Sequence, residues 1–158
     1  MNVNISFTRA VKGAVAGLAG GIAFAAVMKA DMALSGRRVD DFQLLAGFGP
    51  TRDHWPVAGA VVHATNSIAL GGLYSLVSDQ LPGTGWQRGL TFAMVENTLL
   101  WPVLLVLDRV HPAIQSGELP AYNRPWPFLV ENLRHAAYGL VLGVLFERLT
   151  RNDSAVAD

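Results

Sequence analysis

The sequence predicts an all-α fold, a four-helix transmembrane bundle built from two tandem helix–loop–helix repeats, and three observations carry that prediction. First, 51% of the 158 residues are hydrophobic and 15% are charged, with a mean hydropathy of +0.32, high for a water-soluble domain. Second, the charges are segregated: residues 13–28, 57–78 and 136–146 contain none. A helix needs about 20 apolar residues to cross the roughly 30 Å hydrocarbon core of a bilayer, and four such runs can be drawn. Third, one punctuation occurs twice. Gly47, Pro50, Trp55, Pro56, His63, Gly71 and Tyr74 return in order as Gly117, Pro120, Trp126, Pro127, His135, Gly143 and Phe146. The interval is 70 residues for Gly47 and Gly117, 71 for Trp55 and Trp126, and 72 for His63 and His135. Self-similarity at a near-constant period is the mark of duplication. Repeat 1 covers about residues 10–80 and repeat 2 about 86–149, within a single integral membrane domain spanning 1–158. The rival is a soluble bundle, whose helices would carry a continuous polar stripe; none of the four does.

A short polar lead, Met1 to Arg9, precedes the first span, about residues 10–34. Lys29 and Asp31 follow its apolar core where a signal peptide would place a small-residue cleavage site. Gly13, Gly17 and Gly21 recur every fourth residue, a spacing that lets helix backbones approach closely in lipid. They predict packing within the bundle or a contact with a second copy or a complex partner. A polar connection follows, with FQLLAGFG at its centre predicted as a short helix at the membrane interface. Trp55-Pro56 and Trp126-Pro127 each open a span: indole favours the headgroup level, and proline suits a first helical turn whose N–H would be unpaired anyway. The second span runs over about 57–77 and the third over 89–107. Pro102 lies inside the third and cannot donate to the carbonyl of Thr98, which predicts a local adjustment. Pro112 to Pro125 is the second long loop, the fourth span ends near residue 149, and a polar tail, Thr150 to Asp158, closes the chain.

An even number of spans per repeat preserves direction, so the repeats are expected to be related by a pseudo-two-fold axis along the membrane normal. Both termini then share one side. Basic residues are nearly balanced across the membrane, and we place the termini on the cytoplasmic side of a bacterial-type cytoplasmic membrane.

Composition excludes several functions. A net charge of +0 with no basic tail gives nucleic acid no positive surface, which leaves membrane lipid as the expected surrounding partner. The absence of cysteine removes disulfides, thiolate catalysis and thiolate metal sites. No phosphate-binding glycine loop and no Gly-x-Ser-x-Gly elbow is present.

Chemistry is expected where ionisable groups enter the apolar spans, because a charge in hydrocarbon costs several kcal/mol unless paired or hydrated. Glu131, Arg134 and His135 share one helical face; an ion pair is the simpler reading of the first two. His63 and His135 occupy equivalent places in the repeats, so pseudo-symmetry would bring their rings together across the axis. That is the geometry of two axial ligands to a b-type haem or of two ligands to one divalent metal. Hydrogen bonding to Asn66, Asn97 or backbone carbonyls would leave the same trace. Glu96 stands near mid-span and falls opposite Gly20 when Gly13 is matched with Gly89. The expected ligand-binding set is therefore His63, Asn66, Glu96, Asn97, Glu131, Arg134 and His135, with Glu96, Glu131 and His135 as acid–base candidates. Three function classes fit, in this order: a membrane binding protein or complex subunit that holds a ligand, metal or haem; a small proton-coupled transporter; and a membrane enzyme acting on a lipid or quinone.

Overall fold

The structure, a computed structural model, describes residues 3–154, with side chains over 7–48 and 52–151. The described residues form helices joined by loops, without strands: α1 (Val3–Ser35), α2 (Asp41–Ala46), α3 (Trp55–Val77), α4 (Gly85–Val110), α5 (Pro112–Gln115) and α6 (Pro125–Ser154), with 3-10 turns at Gly49–His54 and Ser78–Gln80. Polar lead and tail are more helical than expected, since α1 already begins at Val3 and α6 continues to Ser154. Residues 1–2 and 155–158 lie outside the described residues.

The helix limits follow from local chemistry. Pro56 lies in the first turn of α3, and α4 starts on a capping box in which Thr84 and Gln87 satisfy each other's backbone N–H. Gly83, at φ 85°, makes the turn before it, a conformation that costs glycine little. The helix α4 runs on through Pro102.

Three helices are long and apolar enough to cross a membrane: Phe7–Ser35, Arg52–Gln80 and Gly85–Val110. The expected fourth span falls short of that standard, because α6 carries Glu131, Arg134, Glu147, Arg148 and Arg151 among its 30 residues. Large apolar side chains lie on the surface while several ionisable groups are buried beside the apolar core. Ile22, Val57, Val61, Leu76, Leu99, Val103 and Val106 are more than half exposed, while Asp41, Asn97, Glu131 and Arg134 are buried. Large contiguous apolar surface marks a membrane or partner-facing protein.

The helices pack in the order α3–α1–α6–α4, with α1 against α3, α1 against α6 and α4 against α6. Although consecutive, α3 and α4 do not pack along their lengths. Gly13, Gly17 and Gly21 all face α3 of the same chain, against Gly71, Ser67 and Ser75, so the stripe is occupied within one molecule. Gly89 meets Gly139 and Gly143 in the α4–α6 pair in the same manner. The core between the pairs holds Phe24, Tyr74, Phe92, Tyr138, Leu142 and Phe146. At the end away from the long loops, Arg9 donates to the Ser75 carbonyl at 2.9 Å and to Ser78 Oγ and Asp79 at 2.8 Å.

The short helix α2 buries one face and leaves Leu45 exposed. Asp41, Gln43, Leu44 and Ala46 are buried, and α2 lies against α3. Its partner at the same end is His111, which follows α4 directly. The fully buried ring donates from Nε2 to the Leu44 carbonyl at 3.1 Å and accepts at Nδ1 from the Ala113 N–H at 3.1 Å. Burial holds its pKa below the usual 6.5, against the opposing pull of the Leu44 hydrogen bond. The unfolded chain protonates His111 below about pH 6.5 whereas the folded chain resists, so stability is full above that pH and falls as pH drops below it. Thermal unfolding in detergent is expected to weaken between pH 7.5 and pH 5, with a shallower pH slope in His111→Gln; equal slopes would reject the assignment.

Candidate intramembrane polar site

Two polar centres share the space between the helices. The first is built on Arg134, whose side chain is fully buried. Its Nη1 donates to Asp41 at 3.0 Å and to Glu131 at 2.8 Å; its Nη2 donates to Asp31 at 2.6 Å and to the Val39 carbonyl at 2.9 Å. One guanidinium thus joins α1, α2 and α6. The fork of five donors suits such a hub, which a lysine could not reproduce. The Tyr122 hydroxyl donates to the other Asp41 oxygen at 3.0 Å; burial and the Asp41 charge push its pKa far up, so it stays a donor. Three carboxylates around one cation leave excess negative charge if all are ionised, and Asp41 and Glu131 meet the same nitrogen.

The second centre is His135 with Glu96. His135 donates from Nδ1 to the Glu131 carbonyl at 2.8 Å, and its Nε2 lies 3.1 Å from Glu96 Oε2. With Nδ1–H committed, Nε2 and the carboxylate have a single proton to hold between them. Glu131 Oε2 is 3.8 Å from the same ring, so the two centres adjoin.

The expected meeting of His63 and His135 does not occur. The Phe24 ring stands against both, 5.0 Å from His63 and 5.1 Å from His135 between centroids, and His63 donates from Nε2 to the Gly21 carbonyl at 3.0 Å. Among the described residues no group of three or more His, Asp or Glu side chains is placed to hold a metal. The geometry therefore does not show the expected divalent-metal or b-type haem site: Phe24 packs against both rings and His63 Nε2 is taken up by the Gly21 carbonyl.

A cavity of about 130 Å³ opens beside the second centre, walled by Phe24, His63, Asn66, Glu96, Asn97 and His135 among others. Asn97 is buried and its Oδ1 has no hydrogen-bond partner, an uncommon state for an interior amide oxygen. Between α3 and α4 runs a wider groove of about 500 Å³, lined by Ala69, Leu73, Val95 and Leu99. Cavity and groove share Asn66, Leu70, Glu96 and Leu100 as walls.

Six of the seven expected ligand-binding residues thus line one cavity, and the seventh, Arg134, stands behind Glu131 as an ion-pair centre. Sequence reasoning missed Asp31, Asp41 and Tyr122, which read as loop or exit residues. The signal that could have found them is charge balance, since a buried arginine requires anions from other segments.

The description of Family of unknown function (DUF6789) matches residues 7–156. The chain belongs to this family. The DUF6789 match takes in α1 from Phe7 onward, α3, α4 and α6, with the Arg134 centre and both walls of the groove, so the whole site lies inside the family's extent. No curated protein and no solved structure matches the chain.

Proposed function

We propose that this DUF6789 protein is a membrane binding protein that takes a small amphipathic molecule from the bilayer, through the α3–α4 groove, onto the Glu96–His135–Asn97 site. The observation that carries the reading is the shared wall: the polar cavity and the apolar groove have Asn66, Leu70, Glu96 and Leu100 in common. Pockets that bind small molecules combine a mostly apolar lining with a few placed polar groups. The groove receives the apolar body. Glu96 with His135 offers a proton or a negative oxygen to the head, and Asn97 Oδ1 offers an acceptor that nothing else occupies.

In this reading α6 crosses as the fourth span. Its Glu131 and Arg134 point inward, while Phe128, Leu129 and Leu133 are more than half exposed, so charge is spent on internal pairing. The tandem repeat belongs to the same proposal, with a register one helical turn from the Gly13–Gly89 match. The close pairs Gly17–Gly71 and Gly89–Gly143 are related by a constant shift of 72 residues, as are Gly13–Ser75 and Gly85–Glu147. That shift sets Phe24 opposite Glu96 in place of Gly20. The Phe24–His63 contact of the first half then answers to the Glu96–His135 contact of the second. One half supplies an aromatic ring where the other supplies a carboxyl, so a symmetric scaffold carries a single polar site.

The test is extraction from membranes in a detergent-free polymer, followed by mass spectrometry of co-purifying lipophilic molecules. Wild type is expected to retain a discrete species, and Glu96→Gln and Asn97→Leu to lose at least nine-tenths of it while remaining folded. Equal retention in all three rejects the site.

A second reading, proton-coupled transport, is favoured by one observation. Glu96, His135, Glu131 and Asp41 follow one another from the groove towards the loop end, with His135 3.1 Å from Glu96 and 3.8 Å from Glu131. That reading requires Glu96→Gln to abolish proton-linked flux in liposomes.

A further inference from the structure

A second concave site lies at the loop end of the molecule, away from the groove. A cleft of about 360 Å³ is walled by Arg37, Arg38, Arg124, Trp126, Pro127 and Glu118, with Gly117 and Pro120 completing it. Its volume is roughly ten times the ~30 Å³ share of one water. Three guanidiniums face one space, and none of the three forms an ion pair among the described residues. All three residues are exposed, and like charges gathered in this way repel. Here two of them are held on aromatic faces: Arg37 lies 4.6 Å from the Trp126 ring centroid and Arg38 5.2 Å from that of Trp55. Stacking fixes the plane of a guanidinium and leaves its in-plane donors free for an anion.

The charge of the cleft is not cancelled by its own acid. Glu118, the one acid in the wall, is engaged mainly by groups outside the cluster: it accepts from Ser116 at 3.0 Å and Gln43 at 2.7 Å and stands 3.8 Å from Arg52, with the smallest pull coming from Arg38. These bonds hold its carboxyl below the usual carboxylate range, so it stays ionised, and the cleft retains a net positive balance. Trp55 and Trp126 also open α3 and α6, the position that tryptophan takes at the headgroup level.

We propose that this cleft binds the phosphodiester headgroup of an anionic phospholipid from the adjoining leaflet, through Arg37, Arg38 and Arg124. Basic pockets at helix ends on the headgroup plane suit such lipids, and arginine forks match phosphate oxygens in pairs. The site is separate from the α3–α4 groove and stands whether or not a molecule binds there.

The purified full chain in nanodiscs tests it. Phosphatidylglycerol mixed with phosphatidylcholine at known ratio should be enriched several-fold over the bulk in the lipid that survives delipidation and native mass spectrometry. In Arg37→Gln/Arg124→Gln the enrichment should fall at least fivefold, whereas Arg109→Gln, an exposed arginine at the same end and outside the cleft, should leave it unchanged. Helicity by circular dichroism guards against misfolding, and the wild-type comparison of the two lipids is independent of any variant. No preference for phosphatidylglycerol, or equal enrichment in the cleft variant, overturns the proposal. Inorganic phosphate separates the sources: failure of millimolar phosphate to displace the lipid supports a headgroup site, and displacement by phosphate at the lipid's own affinity overturns the lipid as the ligand.

Discussion

Arg134→Leu is expected to unfold the protein or lower its melting temperature by more than any other single substitution on α6. The change strands Asp31, Asp41 and Glu131, three buried carboxyls that Arg134 now holds at 2.6–3.0 Å. Breaking a buried ion pair from one side costs about 3–5 kcal/mol, because an uncompensated charge remains. At roughly 2–4 °C per kcal/mol for a chain of this length, that is a fall on the order of ten degrees. Replacing the anions together with the cation is far milder, so Arg134→Leu/Asp41→Asn/Glu131→Gln should recover part of the loss. Thermal unfolding of the detergent-solubilised protein measures both. A wild-type melting curve for Arg134→Leu would mean that the network contributes little to the fold.

Gly71→Leu is expected to part α1 from α3 with a comparable loss. A Cβ added at Gly71 would stand 2.7 Å from the Gly17 Cα and against the Gly13 carbonyl. Both obstacles are backbone, so no side-chain rotation makes room. Overpacking a core that can yield costs about 1–3 kcal/mol, and here the helices themselves must separate. Gly143→Leu should do the same to α4 and α6, where the Cα of Gly89 lies 3.0 Å away. Gly72→Leu is the internal control: one residue along, its Cβ meets nothing within 4 Å, and wild-type stability is expected. Equal stability of Gly71→Leu and Gly72→Leu would contradict the packing of the first pair.

Much of this was legible in the sequence. Hydropathy marked where each long helix lies, because a chain that buries its polar groups and exposes its apolar ones leaves long uncharged runs. The small-residue spacing at Gly13, Gly17 and Gly21 foretold close packing, and the ionisable residues inside the spans foretold the cavity. What failed was lateral placement. His63 and His135 hold equivalent places in the repeats, yet that spacing alone does not show that Phe24 packs against both rings. Neither does the spacing within α6 reveal that Arg134 draws Asp31 from α1 and Asp41 from α2. These are contacts between segments about 90 to 100 residues apart, and local periodicity is silent on them. The FQLLAGFG stretch forms the expected short helix, but spacing did not show that Leu44 and Ala46 pack against the rest of the chain.

The most direct measurement is site-specific photo-cross-linking in native membranes, with a photoreactive phenylalanine at Leu73, on the groove wall, or at Leu133, exposed on α6. Entry between α3 and α4 predicts one dominant small adduct at Leu73, lost in Glu96→Gln, against the mixed phospholipid profile of the bulk bilayer at Leu133. The same mixed profile at both positions, unaffected by Glu96→Gln, would contradict it.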